Sequence, residues 1–547
     1  MKGQLKFITC GSVDDGKSTL IGHLLYDAKL LYADQKRALE LESKTGSRGG
    51  KLDYSLLLDG LTEEREQGIT IDVAYRYFKT SKRSFIVADC PGHEEYTRNM
   101  AVGASFAELA VILLDATKGV LVQTRRHARI CALMGIDHFV FVVNKMDLVS
   151  YEEEPFRKIE GEIRELADEL GLKDVVVIPV SATEGDNVTH ASKNMPWYTG
   201  KTVQAQLEDV DVATREHEQG FYMPVQRVCR PDHTFRGFQG QVEAGTVRVG
   251  DELTVQPSRQ KAKVKTLLVA GKESQEAGVG RPVTIQLDRE VDVSRGCVLE
   301  AGSGITTANS LEVDLLWMDD APLTEGEDYL VKLGTSTVPG VVERVEYVVD
   351  VNTGAHHDAK GLKKNELARV HLSLTTAVPA ARFDDHRTAG ELILVDRVSN
   401  MTSACGVVRA AELGAGASSS YRVTPWSRSQ QKGQHALVVG FAVGTDLEGI
   451  ESRLALAGRH TFSLDGERHG DSAVPVACAL HDAGIVVLVS AQDAVLDELR
   501  ERLAPGQYVE AARLAEGSED PAVLADAIVR ATRLNAEIDS DYAPSYI

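Results

Sequence analysis

Long hydrophobic runs are missing from this sequence. No apolar stretch approaches the roughly 18 residues that a membrane-spanning helix requires. Met1, Lys2 and Gly3 lead straight into a strand-like segment, without the apolar core of a secretion signal. These absences predict a cytoplasmic protein without a membrane partner.

Cysteine pairs are also missing. The cysteines are odd in number and scattered, and none form a CxxC spacing: Cys10, Cys90, Cys131, Cys229, Cys297, Cys405 and Cys478. A disulfide framework or a zinc site needs paired spacings. We therefore expect reduced thiols.

Positive charge is scarce. The chain has 60 lysines and arginines against 81 aspartates and glutamates, which gives a formal net charge of −21. This excess of negative charge disfavours non-specific binding to polyanions, so we expect no nucleic-acid partner. A local basic patch for RNA remains compatible with the composition. No lysine follows Lys432.

What is present is the composition of a globular protein with several domains. The sequence is 43% hydrophobic and 26% charged, with a mean hydropathy of −0.16. Its 547 residues allow about three to five domains, each with its own core.

A phosphate-binding loop follows the first apolar run, residues 5–10, and precedes a helical pattern over residues 20–31. The loop consists of Gly11, Ser12, Val13, Asp14, Asp15, Gly16, Lys17, Ser18 and Thr19. Its backbone N–H groups can surround a β-phosphate, Lys17 can contact the β- and γ-phosphates, and Ser18 can bind Mg²⁺. Taken alone, the motif could also be a glycine-rich turn before an ordinary helix.

Further motifs follow other strand-like runs, in the order that a GTPase requires. Residues 85–88 precede Asp89, Cys90, Pro91, Gly92 and His93; residues 139–143 precede Asn144, Lys145, Met146 and Asp147; and residues 175–180 precede Ser181 and Ala182. Because parallel strands present their carboxyl ends at one edge of a sheet, these motifs are expected to converge there.

Each motif has a predicted role in binding GTP. Asp89 can hold a Mg²⁺-bound water, and the Gly92 N–H can contact the γ-phosphate. Asp147 can accept both N1–H and the exocyclic amine of guanine, which adenine does not offer together, while Ser181 and Ala182 can contact guanine O6 from the backbone. Thr70 is the candidate second Mg²⁺ ligand beside Ser18 and Asp89.

The pattern of strands and helices predicts several domains. We expect an α/β P-loop GTPase domain over residues 1–218 and two antiparallel β-barrels over residues 219–312 and 313–423. A linker over residues 424–432 leads to a second α/β domain over residues 433–547. The charged segment 53–78 suits an effector loop ordered by the γ-phosphate and Mg²⁺.

A GTPase domain followed by two barrels resembles the translational GTPase superfamily, in the class of elongation factor Tu. This resemblance implies that His93 is the catalytic residue and orients the attacking water. Residues 59–78, 13–19 and 194–198 narrow the resemblance to the large, GTP-hydrolysing subunit of bacterial ATP sulfurylase.

That family implies a heteromeric enzyme. A smaller adenylyl-transferring subunit would form adenylylsulfate and pyrophosphate from ATP and sulfate, while this chain hydrolyses GTP to drive the step. The sequence contains no Ser-Gly-Gly-x-Asp-Ser pyrophosphate loop, so adenylyl transfer is expected on the partner chain.

The last domain resembles adenylylsulfate kinase over residues 457–466, 468–470, 482–490 and 538–544. Where the kinase has a glycine-rich loop with Lys and Ser, residues 439–446 here contain no lysine. Residues 470–478 lack the Arg- and Asn-rich segment that grips adenylylsulfate in that family. We therefore expect a P-loop kinase-like domain without catalytic activity.

Three other functions remain open from the sequence. The chain could be an elongation factor-like GTPase that binds RNA, or a bifunctional subunit with an active adenylylsulfate kinase. It could also be a regulatory GTPase whose hydrolysis drives no other reaction.

Overall fold

The computed structural model describes residues 3–28, 54, 70–212, 220–231, 235–350, 353–397, 399–414, 425, 428–429, 432–503, 506–515 and 517–533. Of the predicted effector loop 53–78, only residue 54 and residues 70–78 lie within this description. Residues 538–544 of the kinase-like resemblance lie outside it. None of the described helices is long and apolar enough to cross a bilayer.

The first domain is built on a six-stranded sheet in the order β2-β3-β1-β4-β5-β6. The strands are β1 Gln4–Cys10, β2 Ala74–Lys79, β3 Ser84–Asp89, β4 Leu109–Asp115, β5 His138–Asn144 and β6 Asp174–Pro179. β2 is antiparallel to β3, and the other neighbours are parallel. Every residue of β4 is buried, as expected for a central strand with helices on both faces.

Helices cover both faces of this sheet. They are α1 Lys17–Asp27, α2 Thr97–Phe106, α3 Val122–Leu133, α4 Glu153–Leu170 and α5 Val203–Asp209, with 3₁₀ turns at Glu94–Tyr96 and Met146–Val149. In α4 the buried residues Phe156, Ile159, Ile163 and Leu166 recur every three or four positions, which places them on one face. The helix ends at Gly171, whose positive φ of 63° suits a residue without a side chain.

The second domain is an antiparallel sheet in the order β7-β16-β11-β12-β15-β9-β8, with β13 paired to β12 and a separate β10-β14 ribbon. Its strands are β7 Phe221–Pro224, β8 Arg227–Cys229, β9 Gly237–Gln241, β10 Thr246–Arg248, β11 Glu252–Gln256, β12 Gln260–Val269, β13 Lys272–Ser274, β14 Glu276–Gly278, β15 Pro282–Leu287 and β16 Val298–Ala301. Alternate residues of β15 point into a shared core that includes Val283, Ile285 and Leu287.

The third domain is a closed six-stranded barrel, β19-β24-β25-β17-β23-β20, in which β20 pairs back to β19. Its strands are β17 Thr306–Trp317, β18 Leu323–Thr324, β19 Asp328–Leu333, β20 Ser336–Val349, β21 His356–His357, β22 Gly361–Leu362, β23 Leu367–Ala380, β24 Glu391–Val395 and β25 Thr402–Glu412, with a short helix α6 at Arg387–Gly390. The boundary predicted between residues 312 and 313 falls inside β17. The two domains instead part before Thr306, because β17 pairs along its length with β23 and β25.

The fourth domain is a parallel sheet in the order β27-β28-β26-β29. Its strands are β26 Leu437–Phe441, β27 Thr461–Asp465, β28 Val486–Ser490 and β29 Tyr508–Glu510, and its helices are α7 Glu448–Leu456, α8 Gly466–His469, α9 Ala473–Asp482, α10 Asp493–Arg502, α11 Ala511–Leu514 and α12 Pro521–Ala531. Ser429, inside the predicted linker, is buried, and Arg428 Nη1 donates to the Asp482 carbonyl at 3.1 Å. The end of that linker therefore belongs to the fourth domain.

The third domain packs directly against the first. Leu316, Met318, Leu367, Phe383 and Val407 of the barrel join the same buried cluster as α2, α3 and β4. Gly135, after α3, has a φ of +75°, and a Cβ there would lie 2.6 Å from Phe383. This close approach fixes the first domain and the barrel against each other.

Trp317 provides a test of the barrel core. Its side chain is 1% exposed, its Nε1 donates to the Ala321 carbonyl at 2.8 Å, and its ring contacts Tyr329 edge-on. Trp317→Ala should lower the free energy of unfolding by about 3–5 kcal/mol, measured by urea denaturation. The exposed Met401→Ala, on the same domain, should change it by less than about 0.5 kcal/mol. Equal losses of unfolding free energy in the two variants would contradict the role of Trp317 in the barrel core.

Candidate functional site

The four predicted motifs meet at the carboxyl edge of the first sheet. The phosphate loop follows β1, Asp89 ends β3, Asn144 ends β5, and Ser181 lies two residues after β6. Thr9 and Asp89 are register partners on β1 and β3, and Asp115 and Asn144 are partners on β4 and β5. The predicted convergence is confirmed, because neighbouring parallel strands end side by side.

The phosphate loop adopts a compact, closed conformation. Lys17 begins α1, and its Nζ donates to the carbonyls of Gly11 at 2.9 Å and Ser12 at 3.0 Å. Gly16 has a φ of +90°, and a Cβ there would lie 2.4 Å from Asn144 Nδ2. Only glycine fits at that position without moving the Asn144 side chain.

Gly92 brings the second motif against the loop. A Cβ on Gly92 would lie 2.4 Å from the Gly11 carbonyl and 2.7 Å from Lys17 Nζ. The Gly92 backbone therefore lies beside the lysine head group. This is where a backbone N–H would have to lie to share a phosphate oxygen with Lys17.

Asn144 connects three of the motifs through its side-chain amide. Its Nδ2 donates to the Asp15 carbonyl at 2.8 Å, and its Oδ1 accepts the Ala182 N–H at 2.9 Å. Asn144 is 3% exposed, so water competes little for either bond. One buried side chain thus sets the spacing between the phosphate loop and the predicted base-binding residues.

The predicted base-binding residues are also organised around hydrogen bonds. Ser181 Oγ donates to Asp147 Oδ1 at 2.7 Å, which holds that carboxylate at the site edge. Lys145 has a positive φ of 64°, and its Nζ donates to Asp115 Oδ2 at 2.8 Å. Met146 is fully buried beneath this turn.

Asp115 is a residue of this sheet edge that the sequence analysis missed. Burial raises its pKa, but hydrogen bonds from Lys145 and Thr117 outweigh burial and leave the pKa below its ordinary value. It stays ionised and holds the Lys145 ammonium in place. The signal was present, since Asp115 ends an apolar strand as Asp89 does.

The predicted Mg²⁺ ligands offer hydroxyl and carboxylate oxygens, the donors that Mg²⁺ prefers. Asp89 is 2% exposed, and Thr9 Oγ1 lies 3.4 Å from its Oδ1. Ser18 lies in the first turn of α1, while Thr70 is partly exposed.

His93 lies at the surface beside the loop. Its Nδ1 accepts the Glu95 N–H at 3.2 Å, and its ring lies 6.0 Å from that of Tyr96. With Nδ1 bonded to the backbone, Nε2 is the ring nitrogen left to contact a water molecule.

Comparison with known proteins agrees with this geometry. Residues 2–231 match the elongation factor Tu GTP binding domain, and residues 310–409 match the GTP-eEF1A C-terminal domain-like family. A sulfate adenylyltransferase subunit 1 from Sulfurovum sp. (strain NBC37-1) is 49% identical over 417 residues, which cover 74% of this chain and 87% of that protein. A bifunctional enzyme CysN/CysC from Rhodopirellula baltica is 43% identical over 548 residues, covering 92% and 84%.

Asn144 provides a direct test of the site. Asn144→Ala removes both bridging hydrogen bonds and leaves the Ala182 N–H unpaired, so guanine-nucleotide affinity should fall about tenfold or more. Titration with a fluorescent GDP analogue measures the change. Gln204→Ala, which removes a side-chain bond to the Glu208 carboxylate within α5, serves as the control. Unchanged affinity in Asn144→Ala would contradict the bridging role.

Proposed function

The chain belongs to the sulfate adenylyltransferase subunit 1 family, and we propose that it hydrolyses GTP to drive adenylylsulfate formation on a smaller partner subunit. The observation that carries the proposal is the meeting of the phosphate loop, Asp89, Asn144 and Ser181 at one sheet edge. The elongation factor Tu GTP binding domain spans this site. A cytoplasmic location fits this role.

In the proposed hydrolysis, each residue has one task. Lys17 and the Gly92 N–H bind the terminal phosphate from two sides, and Asp147 selects guanine. Ser18, Thr70 and Asp89 would hold Mg²⁺, which would neutralise phosphate charge when bound. His93 orients the attacking water for in-line attack.

GTP hydrolysis has a chemical reason here. The phosphosulfate anhydride of adenylylsulfate is less stable than the phosphoanhydride of ATP that is broken to form it. Adenylyl transfer to sulfate therefore lies far towards ATP and sulfate. Hydrolysis of GTP, when coupled to this transfer, shifts the equilibrium towards adenylylsulfate.

The contact between α2 and the third domain offers a route for this coupling. Arg98 Nη2 donates to the carbonyls of Met318 at 3.3 Å and Thr402 at 3.1 Å. Asn365 Nδ2 donates back to the Glu94 carbonyl at 3.0 Å. Because Glu94 follows His93 directly, movement of this segment on phosphate loss would reach the barrel through these bonds.

The loop after β26 in the fourth domain has no lysine to bind phosphates. The loop after β26 contains Asp446 and no lysine, and the Asp446 carboxylate accepts the Glu448 N–H at 3.0 Å at the start of α7. Asp465 caps α8 by accepting the N–H groups of Glu467 and Arg468. At the N-terminus of α7, the Asp446 carboxylate would repel a bound phosphate.

A second candidate function is adenylylsulfate kinase activity, because relatives named bifunctional CysN/CysC match 92% and 93% of this chain. The missing lysine argues against it. We propose that the fourth domain does not phosphorylate adenylylsulfate.

The main proposal is tested with the purified complex from the native host. GTP turnover should rise when both ATP and sulfate are present, and adenylylsulfate yield should depend on GTP. Lys17→Ala should abolish both effects, because the phosphates lose their principal cation. A GTP turnover rate that does not change when ATP and sulfate are added would favour a regulatory GTPase. Retention of charged tRNA by the protein in a filter-binding assay would favour the RNA-binding alternative.

Arg98→Ala tests the coupling route. GDP affinity should be retained, while adenylylsulfate formed per GTP hydrolysed should fall about tenfold, because two bonds to barrel carbonyls are lost. Arg157→Ala, at an exposed ion pair on α4, serves as the control. If Arg98→Ala forms as much adenylylsulfate per GTP hydrolysed as the wild type, the coupling does not run through these two bonds.

The kinase proposal is tested on the full chain with adenylylsulfate and labelled ATP. No transfer of the γ-phosphate to the 3′-hydroxyl is expected. A stoichiometric, time-dependent phosphorylated product would show that the Asp446 loop is active and would reject the proposal.

A further inference from the structure

Asp15 is a buried acid inside the phosphate loop that the proposed hydrolysis does not use. Its side chain is 1% exposed, and its Oδ2 accepts the Ser12 N–H at 2.6 Å. Its Oδ1 is buried and has no hydrogen-bond partner among the described residues. The loop therefore contains a carboxylate with only one of its oxygens satisfied.

The charged groups that face Asp15 do not offset its burial. Burial raises the pKa of Asp15 to about 6, while Lys17 on α1, the Ser12 N–H and Lys118 act in the opposite direction and Asp115 adds to the rise. Lys17 Nζ donates to the Gly11 and Ser12 carbonyls rather than to this carboxylate. At neutral pH the loop thus contains an incompletely compensated negative charge.

We propose that Asp15 is a positioning residue whose negative charge opposes nucleotide phosphates at the same loop and so promotes release of the bound guanine nucleotide. The inference rests on the guanine-nucleotide site proposed above and adds a control of its affinity. The positive charge of Lys17 acts on both the carboxylate and the phosphates, and two negative charges that share one cation in a buried loop repel each other.

Proton uptake on nucleotide binding follows from the same repulsion. Incoming phosphates further disfavour the ionised carboxylate, so near pH 6 the Asp15 carboxyl takes a proton from the buffer as nucleotide binds. Oδ1, the oxygen without a partner, can accept this proton while Oδ2 keeps the Ser12 N–H. Affinity should therefore rise as the pH falls from 7.5 towards 6.

Asp15→Asn removes the charge and keeps an oxygen acceptor for Ser12. At pH 7.5 the dissociation constant for a fluorescent GDP analogue should fall roughly tenfold, with a slower dissociation rate. Asp14→Asn makes the same charge change at an exposed position of the same loop, and solvent screening should make its effect less than half as large. A purely structural Asp15 predicts the opposite, since Asn leaves an amide donor unpaired and should weaken binding.

Calorimetry at pH 6 in buffers of different ionisation enthalpy supplies a second readout. The wild-type chain should take up more protons per GDP bound than Asp15→Asn. If Asp15→Asn does not fold, Asp15→Ala serves for both measurements.

The outcomes separate the two proposals. Equal proton uptake, or unchanged or weaker GDP binding in the Asp15 variant, overturns the inference about Asp15 alone. A wild-type chain that binds no GDP overturns the guanine-nucleotide site itself.

Discussion

The buried amide of Asn144 is the interaction on which the nucleotide site depends. Strand ends bring the motifs to one edge, but backbone pairing between β1, β4 and β5 does not fix the height of the loops above that edge. Asn144 does so, because it bonds the Asp15 carbonyl and the Ala182 N–H at once. The glycine at position 16 is the steric counterpart of these bonds, since any side chain there would displace the amide.

Much of the first domain could be predicted from sequence, for a physical reason. Central parallel strands are buried on both faces, so runs such as that of β4 are continuous and recognisable, and their ends locate the loops. The barrel boundary was harder to predict. Because β17 is a long strand that begins at Thr306, the change from one barrel to the next shows no break in composition. The roles of Thr70 and His93 stay predictions.

The partners of Asp115 and Arg98 show what sequence reasoning could not supply. Asp115 acts through Lys145, a residue 30 positions away, and that pairing exists only because β4 and β5 are neighbours. Arg98 donates to the backbone carbonyls of Met318 and Thr402, which belong to the third domain. Every residue has a backbone carbonyl, so the sequence does not show which carbonyls accept these bonds. Such contacts follow from packing, so a pattern search along one chain does not find them.

The packing of the fourth domain does not depend on a phosphate-binding lysine. Its sheet is stabilised by the buried strands Leu437–Phe441 and Val486–Ser490, and of residues 442–447, the loop after β26, only Leu447 joins this core. A lysine in that loop would add no packing to this core, and its ammonium would need a counter-charge. Asp446 also competes with a phosphate, because its carboxylate accepts the Glu448 N–H at the start of α7, a donor that a bound phosphate could otherwise use. Local stability and phosphate binding compete for the same backbone donor, and in this loop local stability is favoured.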